Sequence, residues 1–437
     1  MRLASWSFAL LAFGASGCSV DETLVDEFFT PVEWEKVQTL SPLPDVPEDT
    51  TNRYADDPRA AALGQRLFFE KGYSGPLKLG APETKGGLGT KGQSGRVACA
   101  SCHHGTWLID HRSHPNNASL GTDWIPRNAN TVINAAFYDP WIENDGVSDS
   151  LWADALVDPE LDIAMNGTRL QVAHVLWDKY RDEYDAIFDT ALDPSLDAKD
   201  ENHYRFPAKG KPGEDAWKEM TEPDRQIVNV IYANFGKALG AYLRLLVSRD
   251  APFDRYVEGD HDAIGESARR GLRLFVGKAG CVACHAGPHF SDDAFHVNGL
   301  APVGPNINPK ETGREAAVRA LLENPFNSSG PYSDDRSTGR LDDLSVSPEL
   351  RGAWRTKGLR SVAETGPYMH TGQLQTLRDV VAFYNEGGHE AGFVGAKSDK
   401  VKPLNLTEQE IDDIVAFLET LTGAPVPVAL REDTSAK

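Results

Sequence analysis

The sequence contains little cysteine, little methionine and little positive charge. Among 437 residues, five are Cys and four are Met, while 65 Asp and Glu residues outnumber 44 Lys and Arg residues. The formal net charge of −21 argues against nucleic acid as a partner, because a polyanion would be repelled. The same acidic surface would attract a basic protein partner, and it would equally serve solubility alone.

Long apolar runs are also scarce, apart from one at the amino terminus. After residue 18 no segment is apolar and long enough to cross a bilayer. Residues 1–18 have one Arg followed by an apolar stretch that ends in small residues, the pattern of a secretory signal. The end of this stretch resembles a bacterial lipobox, although Ala15 stands where Leu is usual. We predict a signal peptide over residues 1–17, lipidation of Cys18 and a periplasmic location; an ordinary cleaved signal is the alternative.

Four of the five Cys residues occupy two copies of one motif, Cys99-Ala100-Ser101-Cys102-His103 and Cys281-Val282-Ala283-Cys284-His285. Cys-x-x-Cys-His is the attachment signature of c-type haem, in which both thiols bond to the porphyrin and the His binds iron. The four Cys could instead share one zinc ion, but zinc ribbons hold their pairs closer together and need no His after each. The motifs therefore predict two haem c groups, the first on Cys99, Cys102 and His103 and the second on Cys281, Cys284 and His285.

Helical periodicity dominates the rest of the chain, and strand patterns are scarce. We predict a mainly α fold with two cytochrome c-like haem domains in tandem. The N-terminal domain is expected over residues 56–222 and the C-terminal domain over residues 223–437. Residues 18–55 are acidic and rich in Pro, which predicts an extended tether between the lipid anchor and the folded part.

Several segments, in order along the chain, resemble the bacterial di-haem cytochrome c peroxidase/MauG family. The resemblance runs from about Asp57 to Gly423 and is carried by the segments Leu63–Phe69, Arg127–Asn134, Cys284–Asp292, Thr365–Gly372 and Leu377–Asn385. It implies that peroxide reacts at the haem of His103. It also implies that the haem of His285 is six-coordinate and stores or relays electrons.

The resemblance also implies ligands for the second haem and for a calcium ion. Tyr384 aligns with the sixth iron ligand, which is Tyr in MauG and Met in ordinary peroxidases; Met369 is the rival. From spacing alone, Tyr384 would be a core residue on an apolar helix face. The calcium ion of the family lies between the haems, and its protein ligands match Asn128, Thr365 and Pro367.

Three positions depart from the family pattern. Thr122 stands where many members have a removable His ligand, with His111 and His114 as other candidates. Asn144 stands where members have a Trp that relays electrons, and Trp141 or Trp152 could substitute.

The third departure is Ala164, at the position of the family's proton-transferring Glu. Losing a general acid–base typically lowers a rate by about 10²–10⁴-fold. Asp158, Glu160 and Asp162 lie near it in sequence. The catalytic acid is therefore not identified by the sequence.

These observations leave two functional hypotheses. The first is a periplasmic di-haem oxidoreductase that reduces hydrogen peroxide or uses it to oxidise a protein partner, with a small electron-donor protein as the other candidate partner. The second is a di-haem electron-transfer protein that has lost peroxidase activity, which the replacements at Asn144 and Ala164 favour. A homodimer is an open alternative, since relatives often dimerise, and the lipid anchor would be the contact with the membrane.

Overall fold

The computed structural model describes residues 24–80, 87–110, 119–138 and 140–436. The described part is mainly helical, as predicted, with one two-stranded antiparallel sheet of β1 (Phe295–His296) and β2 (Trp354–Arg355). The α-helices in chain order are α1 (Pro31–Gln38), α2 (Pro58–Phe69), α3 (Leu151–Asp154), α4 (Val157–Glu160), α5 (Arg169–Ile187), α6 (Asp215–Glu219), α7 (Glu222–Leu243), α8 (Pro252–Val257), α9 (Glu266–Val276), α10 (Arg314–Glu323), α11 (Leu377–Asn385) and α12 (Glu408–Glu419). In the described residues, no helix combines the length and the apolar character that crossing a bilayer requires.

An N-terminal cluster of buried residues is built around α7, which packs against α2, α3 and α5. Gly64 allows the close approach of α2 and α7, since a Cβ there would lie 2.0 Å from the Ala238 carbonyl oxygen. We assigned α7 to the C-terminal domain, whereas its contacts place it in the N-terminal cluster. The second half of α7 is buried on almost all sides, so it has no one-sided apolar stripe. The sequence therefore did not indicate against which helices α7 packs.

A C-terminal cluster is formed by α1, α8, α9, α11 and α12. Helices α9 and α12 cross closely at Gly271, where a Cβ would lie 1.9 Å from the Asp413 carbonyl oxygen. Helix α12 begins at a capping box formed by Thr407 and Glu410.

The segment that we predicted to be a tether is folded from residue 24 onwards. Phe29, Val37 and Leu40 are fully buried in the C-terminal cluster. Further along, the side chain of Asn52 donates to the Lys237 carbonyl oxygen of α7 at 3.0 Å. The tether prediction was wrong for these residues. It relied on the acidic, Pro-rich composition and overlooked a few widely spaced apolar residues that pack into the C-terminal cluster. The signal peptide and Cys18 lie outside the described residues.

Candidate haem sites

The second Cys-x-x-Cys-His motif forms one turn of 3₁₀ helix over Cys281–Ala283. The His285 amide donates to the Cys281 carbonyl oxygen at 2.9 Å, which closes the turn. The Nδ1 atom of His285 lies 2.9 Å from the Phe290 carbonyl oxygen. Because a carbonyl can only accept, Nδ1 carries the proton and Nε2 is left with a free lone pair. This is the tautomer that binds a metal through Nε2. Burial lowers the pKa of His285, which keeps the ring neutral.

A cavity of about 320 Å³ opens beside this motif. Its lining includes both thiols of the motif, the His285 imidazole and apolar side chains such as Leu359, Val380 and Val381. Two thiols, one neutral imidazole and an apolar wall are the donor set that haem c requires. The residues of this site therefore fit a covalently bound haem.

Both candidate sixth ligands line the same cavity. Tyr384 reaches it from α11, and Met369 reaches it from the loop that precedes α11. Burial raises the pKa of Tyr384 to about 12, and the nearby Cys284 and Cys281 contribute. The phenol is thus protonated at neutral pH unless a cation displaces its proton. Position alone brings both residues to the cavity and does not choose between them.

A small cluster of possible metal ligands also lies at the second motif. Atoms of Cys284, Asp292 and His296 lie within 4.8 Å of one another. His296 Nε2 and Asp292 Oδ2 are 2.9 Å apart and already pair with each other. The cluster contains one Cys from one motif, so among the described residues the four Cys of the two motifs do not converge on a common zinc site.

The first motif forms the same turn over Cys99–Ser101, closed by the His103 amide at 3.0 Å from the Cys99 carbonyl oxygen. Burial lowers the pKa of His103, so this ring is also neutral. Its Nδ1 atom is buried, and the backbone of Asn130 and of Leu108 acts against the lowering of the pKa. The Cys99 sulfur lies 3.9 Å from the Tyr73 hydroxyl, and burial raises the pKa of this thiol to about 12. The repeated turn, the neutral imidazole and the two thiols fit a second haem c.

The two replaced positions near the first motif are neighbours in space. The backbone amide of Thr122 donates to the Ala164 carbonyl oxygen at 2.7 Å. The Thr122 hydroxyl donates to the Asp162 carbonyl oxygen at 2.6 Å. The Cys102 sulfur lies 3.7 Å from the Leu120 carbonyl oxygen, so the segment that contains Thr122 lies beside the first motif. His111 and His114 lie outside the described residues.

Two of the three acids near Ala164 are committed to ion pairs. Glu160 pairs with Arg169 at 2.6 Å, and Asp162 pairs with Lys78 at 2.5 Å. The third, Asp158, is surrounded by protein, and burial together with the nearby Glu143 raises its pKa to about 7. Two of the three acids are therefore held in ion pairs, and the third, Asp158, has a raised pKa.

The Trp residues expected to substitute for Asn144 have other contacts. Trp152 is fully buried in the N-terminal cluster, and its ring nitrogen donates to the Thr51 hydroxyl at 2.9 Å. The Arg314 guanidinium lies 4.0 Å from the centre of the Trp141 ring.

Sequence reasoning missed Trp354, whose neighbour in the chain is hydrogen bonded to Asn144. The backbone amide of Arg355, the next residue, donates to the Asn144 carbonyl oxygen at 2.8 Å. The Trp354 ring stacks on His370 with ring centres 3.8 Å apart and planes 17° apart. Trp354, His370 and Asn144 all line the cavity. The sequence signal was a single Trp shortly before the Thr365–Gly372 segment of the resemblance, and the hydrogen bond between Arg355 and Asn144 was needed to locate it.

The three residues predicted to bind calcium lie together. The side-chain amide of Asn128 donates to the Pro367 carbonyl oxygen at 2.8 Å, and the Asn128 backbone amide donates to the His370 carbonyl oxygen at 2.9 Å. Thr365 lines the same cavity. A hard cation would need the Asn128 amide rotated so that its oxygen faces the site, a change of orientation and not of position.

Comparisons with known proteins identify what the chain is similar to. The family model of the di-haem cytochrome c peroxidases matches residues 58–262. Over 395 residues the chain is 35% identical to the "Cytochrome-c peroxidase IdrP1" of Denitromonas iodatirespirans, which covers 89% of this chain and 87% of that protein. Over 375 residues it is 30% identical to the methylamine utilization protein MauG of Methylorubrum extorquens, which covers 86% of this chain and 81% of that protein.

Two solved structures share the fold. One is a MauG-like protein associated with microbial copper homeostasis, with a TM-score of 0.57, 24% identity, and coverage of 90% of this chain and 97% of that one. The other is the diheme peroxidase BthA from Burkholderia thailandensis, with a TM-score of 0.58, 20% identity, and coverage of 90% of this chain and 98% of that one.

Proposed function

We propose that this chain, which belongs to the di-haem cytochrome c peroxidase family, reduces hydrogen peroxide at the haem of His103 with electrons passed from the haem of His285. The family carries two haem c groups, and members are peroxidases or related oxidoreductases. When bound, the haems supply the iron that binds peroxide and the electrons that reduce it. The protein positions them, keeps both imidazoles neutral and delivers protons.

The observation that carries this proposal is the repeated turn of the two motifs. Each turn presents two thiols and one neutral imidazole from five consecutive residues. Expression in a host that attaches c-type haem should give a Soret band and a mass equal to the processed chain plus two haems. Addition of peroxide to the reduced protein should oxidise it, and a reduced small cytochrome should then restore it. A protein with two haems that does not react with peroxide would leave the electron-transfer alternative.

We assign Tyr384 as the sixth ligand of the second haem. Its support is the family alignment and its place in the cavity near both thiols of the motif. A phenolate is a harder, anionic ligand than a thioether and should lower the reduction potential of the iron. Tyr384→Phe should therefore change the low-spin spectrum and raise the potential, whereas Met369→Leu should leave both unchanged. The reverse pattern would identify Met369 as the ligand.

We assign Trp354 as the electron relay in place of the missing Trp at position 144. It lines the cavity of the second site, and its neighbour is hydrogen bonded to Asn144. Trp354→Phe should slow electron transfer between the haems by about tenfold or more, measured by flash photolysis of the half-reduced protein. Trp141→Phe is the matched control, since its ring is covered by Arg314. Equal rates in both variants would remove this assignment.

Several finer parts of the proposal rest on the resemblance and on the sequence. They are two haem domains in tandem, a calcium ion at Asn128, Thr365 and Pro367, export to the periplasm with lipidation at Cys18, and a small electron-donor protein or a protein substrate as partner. Chelation by EGTA tests the calcium ion, because its loss should shift the haem spectra and calcium should restore them. Mass spectrometry of the mature amino terminus tests lipidation, and sedimentation tests the homodimer.

The electron-transfer alternative is favoured by one observation. Ala164 cannot transfer a proton, and Thr122 next to it spends its hydroxyl on a carbonyl oxygen. A protein of this second kind would carry two six-coordinate haems and would bind no small ligand at the first iron. Cyanide binding by the oxidised protein separates the two functions.

A further inference from the structure

We propose that the Asp158 carboxylate holds and moves the proton during the reaction with peroxide at the haem of His103, in place of the acid missing at position 164. This inference rests on the proposed function and deepens it. It is drawn from the fold of residues 158–167, from the surroundings of the carboxylate and from the commitments of the neighbouring acids.

The chain folds back on itself and brings the backbone of Asp158 close to position 164, where Ala replaces the acid of the family. The amides of Leu161 and Met165 both donate to the Asp158 carbonyl oxygen, at 3.2 and 3.3 Å. The amide of Gly167 donates to the Pro159 carbonyl oxygen at 2.9 Å. Met165 directly follows Ala164, so Asp158 and Ala164 belong to one hydrogen-bonded loop. A carboxylate on this loop can serve the same region of space as a side chain at position 164.

The Asp158 side chain is accessible and lies near the first motif. Protein surrounds the residue, yet a large part of its surface remains accessible, so a small molecule can reach it. Its charge raises the pKa of the Cys99 thiol. Cys99 is one of the two attachment residues of the first haem, so Asp158 lies near this site.

The electrostatic surroundings favour a carboxyl group that exchanges its proton near neutral pH. Burial and the negative charge of Glu143 raise the pKa of Asp158 to about 7, while Arg127 acts in the opposite direction. Burial also raises the pKa of Asp154 well above its ordinary range, with Glu143 and Asp158 adding to the effect. A general acid–base works best when its pKa lies near the operating pH.

The proposed step conserves atoms, protons and electrons. Asp158 would accept the proton from the peroxide oxygen nearer the iron and return it to the other oxygen as the O–O bond breaks, so that this oxygen leaves as water and the carboxylate ends in the state in which it began. The bound haems would supply the two electrons that the reduction of peroxide consumes, and the second oxygen would take up two protons from solvent and leave as water. Glu160 and Asp162 cannot take this role without breaking their ion pairs with Arg169 and Lys78.

Cyanide binding tests this role without turnover. At neutral pH cyanide arrives as HCN and must give up its proton to bind ferric iron, so a base in the pocket speeds its association. The experiment follows the Soret band of the oxidised holoprotein after mixing with cyanide. We expect Asp158→Asn to slow association by about 10²-fold, Asp158→Glu to recover most of the rate, and Asp162→Asn to leave it unchanged. Peroxide consumption should fall in the same order.

Three results would overturn the inference in distinguishable ways. If Asp158→Asn bound cyanide at the same rate as the wild-type protein, this carboxylate would hold no proton in the reaction. A loss of rate in Glu143→Gln without one in Asp158→Asn would assign the proton to Glu143. A wild-type protein that binds no cyanide and consumes no peroxide would overturn the proposed function together with the inference. An intact two-haem spectrum in each variant is the check on folding.

Discussion

The two Cys-x-x-Cys-His turns are alike in backbone and unlike in what surrounds them. At the second turn the imidazole is fixed by a hydrogen bond to Phe290, and the adjoining cavity has an apolar wall with Tyr384 and Met369. Near the first turn the carboxyl groups of Asp154 and Asp158 have raised pKa values, and the charge of Asp158 raises the pKa of the Cys99 thiol.

This difference teaches that the attachment motif specifies the cofactor and leaves the reaction to the neighbours. A fixed imidazole with a second ligand in reach suits an iron that exchanges electrons and binds nothing else. Titratable acids beside an iron suit proton-coupled chemistry. Lys357 lies between the two environments: it lines the second cavity, and burial lowers its pKa to about 7, with Arg355 acting in the same direction.

The largest difference between the two sites is expected when the two attachment thiols of one motif are removed at a time. Cys281→Ser with Cys284→Ser should leave a protein with one haem that still binds cyanide but no longer turns over peroxide. Cys99→Ser with Cys102→Ser should leave one haem that does not bind cyanide. The measurements are the mass and the cyanide difference spectrum, and equal cyanide binding by the two proteins would refute the division of roles.

Truncation of Phe29 should destabilise the second region and spare the first. Phe29 is fully buried in the C-terminal cluster, so Phe29→Ala should lower the free energy of unfolding by about 3–5 kcal/mol. Val32→Ala in the same segment is the control, because Val32 is exposed and should change stability by less than about 0.5 kcal/mol. Thermal unfolding followed at the Soret band measures both; equal small effects would restore the tether interpretation.

Adding one methyl group at each close helix crossing should affect the two regions equally. Gly64→Ala and Gly271→Ala both place a Cβ against a carbonyl oxygen, and overpacking of this kind typically lowers stability by about 1–3 kcal/mol. Gly265→Ala meets no atom within 4 Å and serves as the control. Denaturant unfolding gives the three values. A much smaller effect at one crossing would show that this helix pair can separate without loss of stability.

The smallest effect is a pH-dependent change in stability from Asp158→Asn. Because the pKa of Asp158 is raised in the folded protein, the folded state holds this proton while the unfolded state, with a pKa near 4, has released it. Wild-type stability is therefore lost as the pH rises from about 4 through about 7. The charged and titratable groups around Asp158 are Glu143, Asp154, Arg127 and Cys99.

We expect the melting temperature of Asp158→Asn, relative to wild type, to increase by a few degrees between pH 5 and pH 8. Asp162→Asn should show no trend over this range, because Lys78 lowers the pKa of Asp162 and its carboxylate is ionised in both the folded and the unfolded state above about pH 5. Parallel curves for Asp158→Asn and wild type would show that folding does not raise the pKa of Asp158.

The sequence predicts the attachment turns and the helical character well, because both depend on short-range patterns. Five consecutive residues define each turn, and the capping box at Thr407 defines the start of α12. Long-range packing was less accessible. The second half of α7 is buried on all sides, so its sequence has no one-sided apolar pattern from which its packing partners could be predicted. The burial of Phe29 depends on helices more than two hundred residues away.

The candidate site shows the same limit. Motif spacing located the thiols and imidazoles, and alignment located Tyr384 and Asn128. Trp354 was not identified, because only the backbone hydrogen bond from the neighbouring Arg355 amide to the Asn144 carbonyl oxygen brings it to this position. Asp158 was one of three acids near Ala164 between which the sequence did not choose, and the loop that its backbone hydrogen bonds close could not be predicted. Neither connection has a signature in the residue types involved.

Electron paramagnetic resonance of the fully oxidised holoprotein tests the central contrast between the two sites most directly. The account predicts a high-spin ferric signal from the haem of His103 and a low-spin signal from the haem of His285, with cyanide converting the high-spin signal alone. Two low-spin signals before any ligand is added would contradict it.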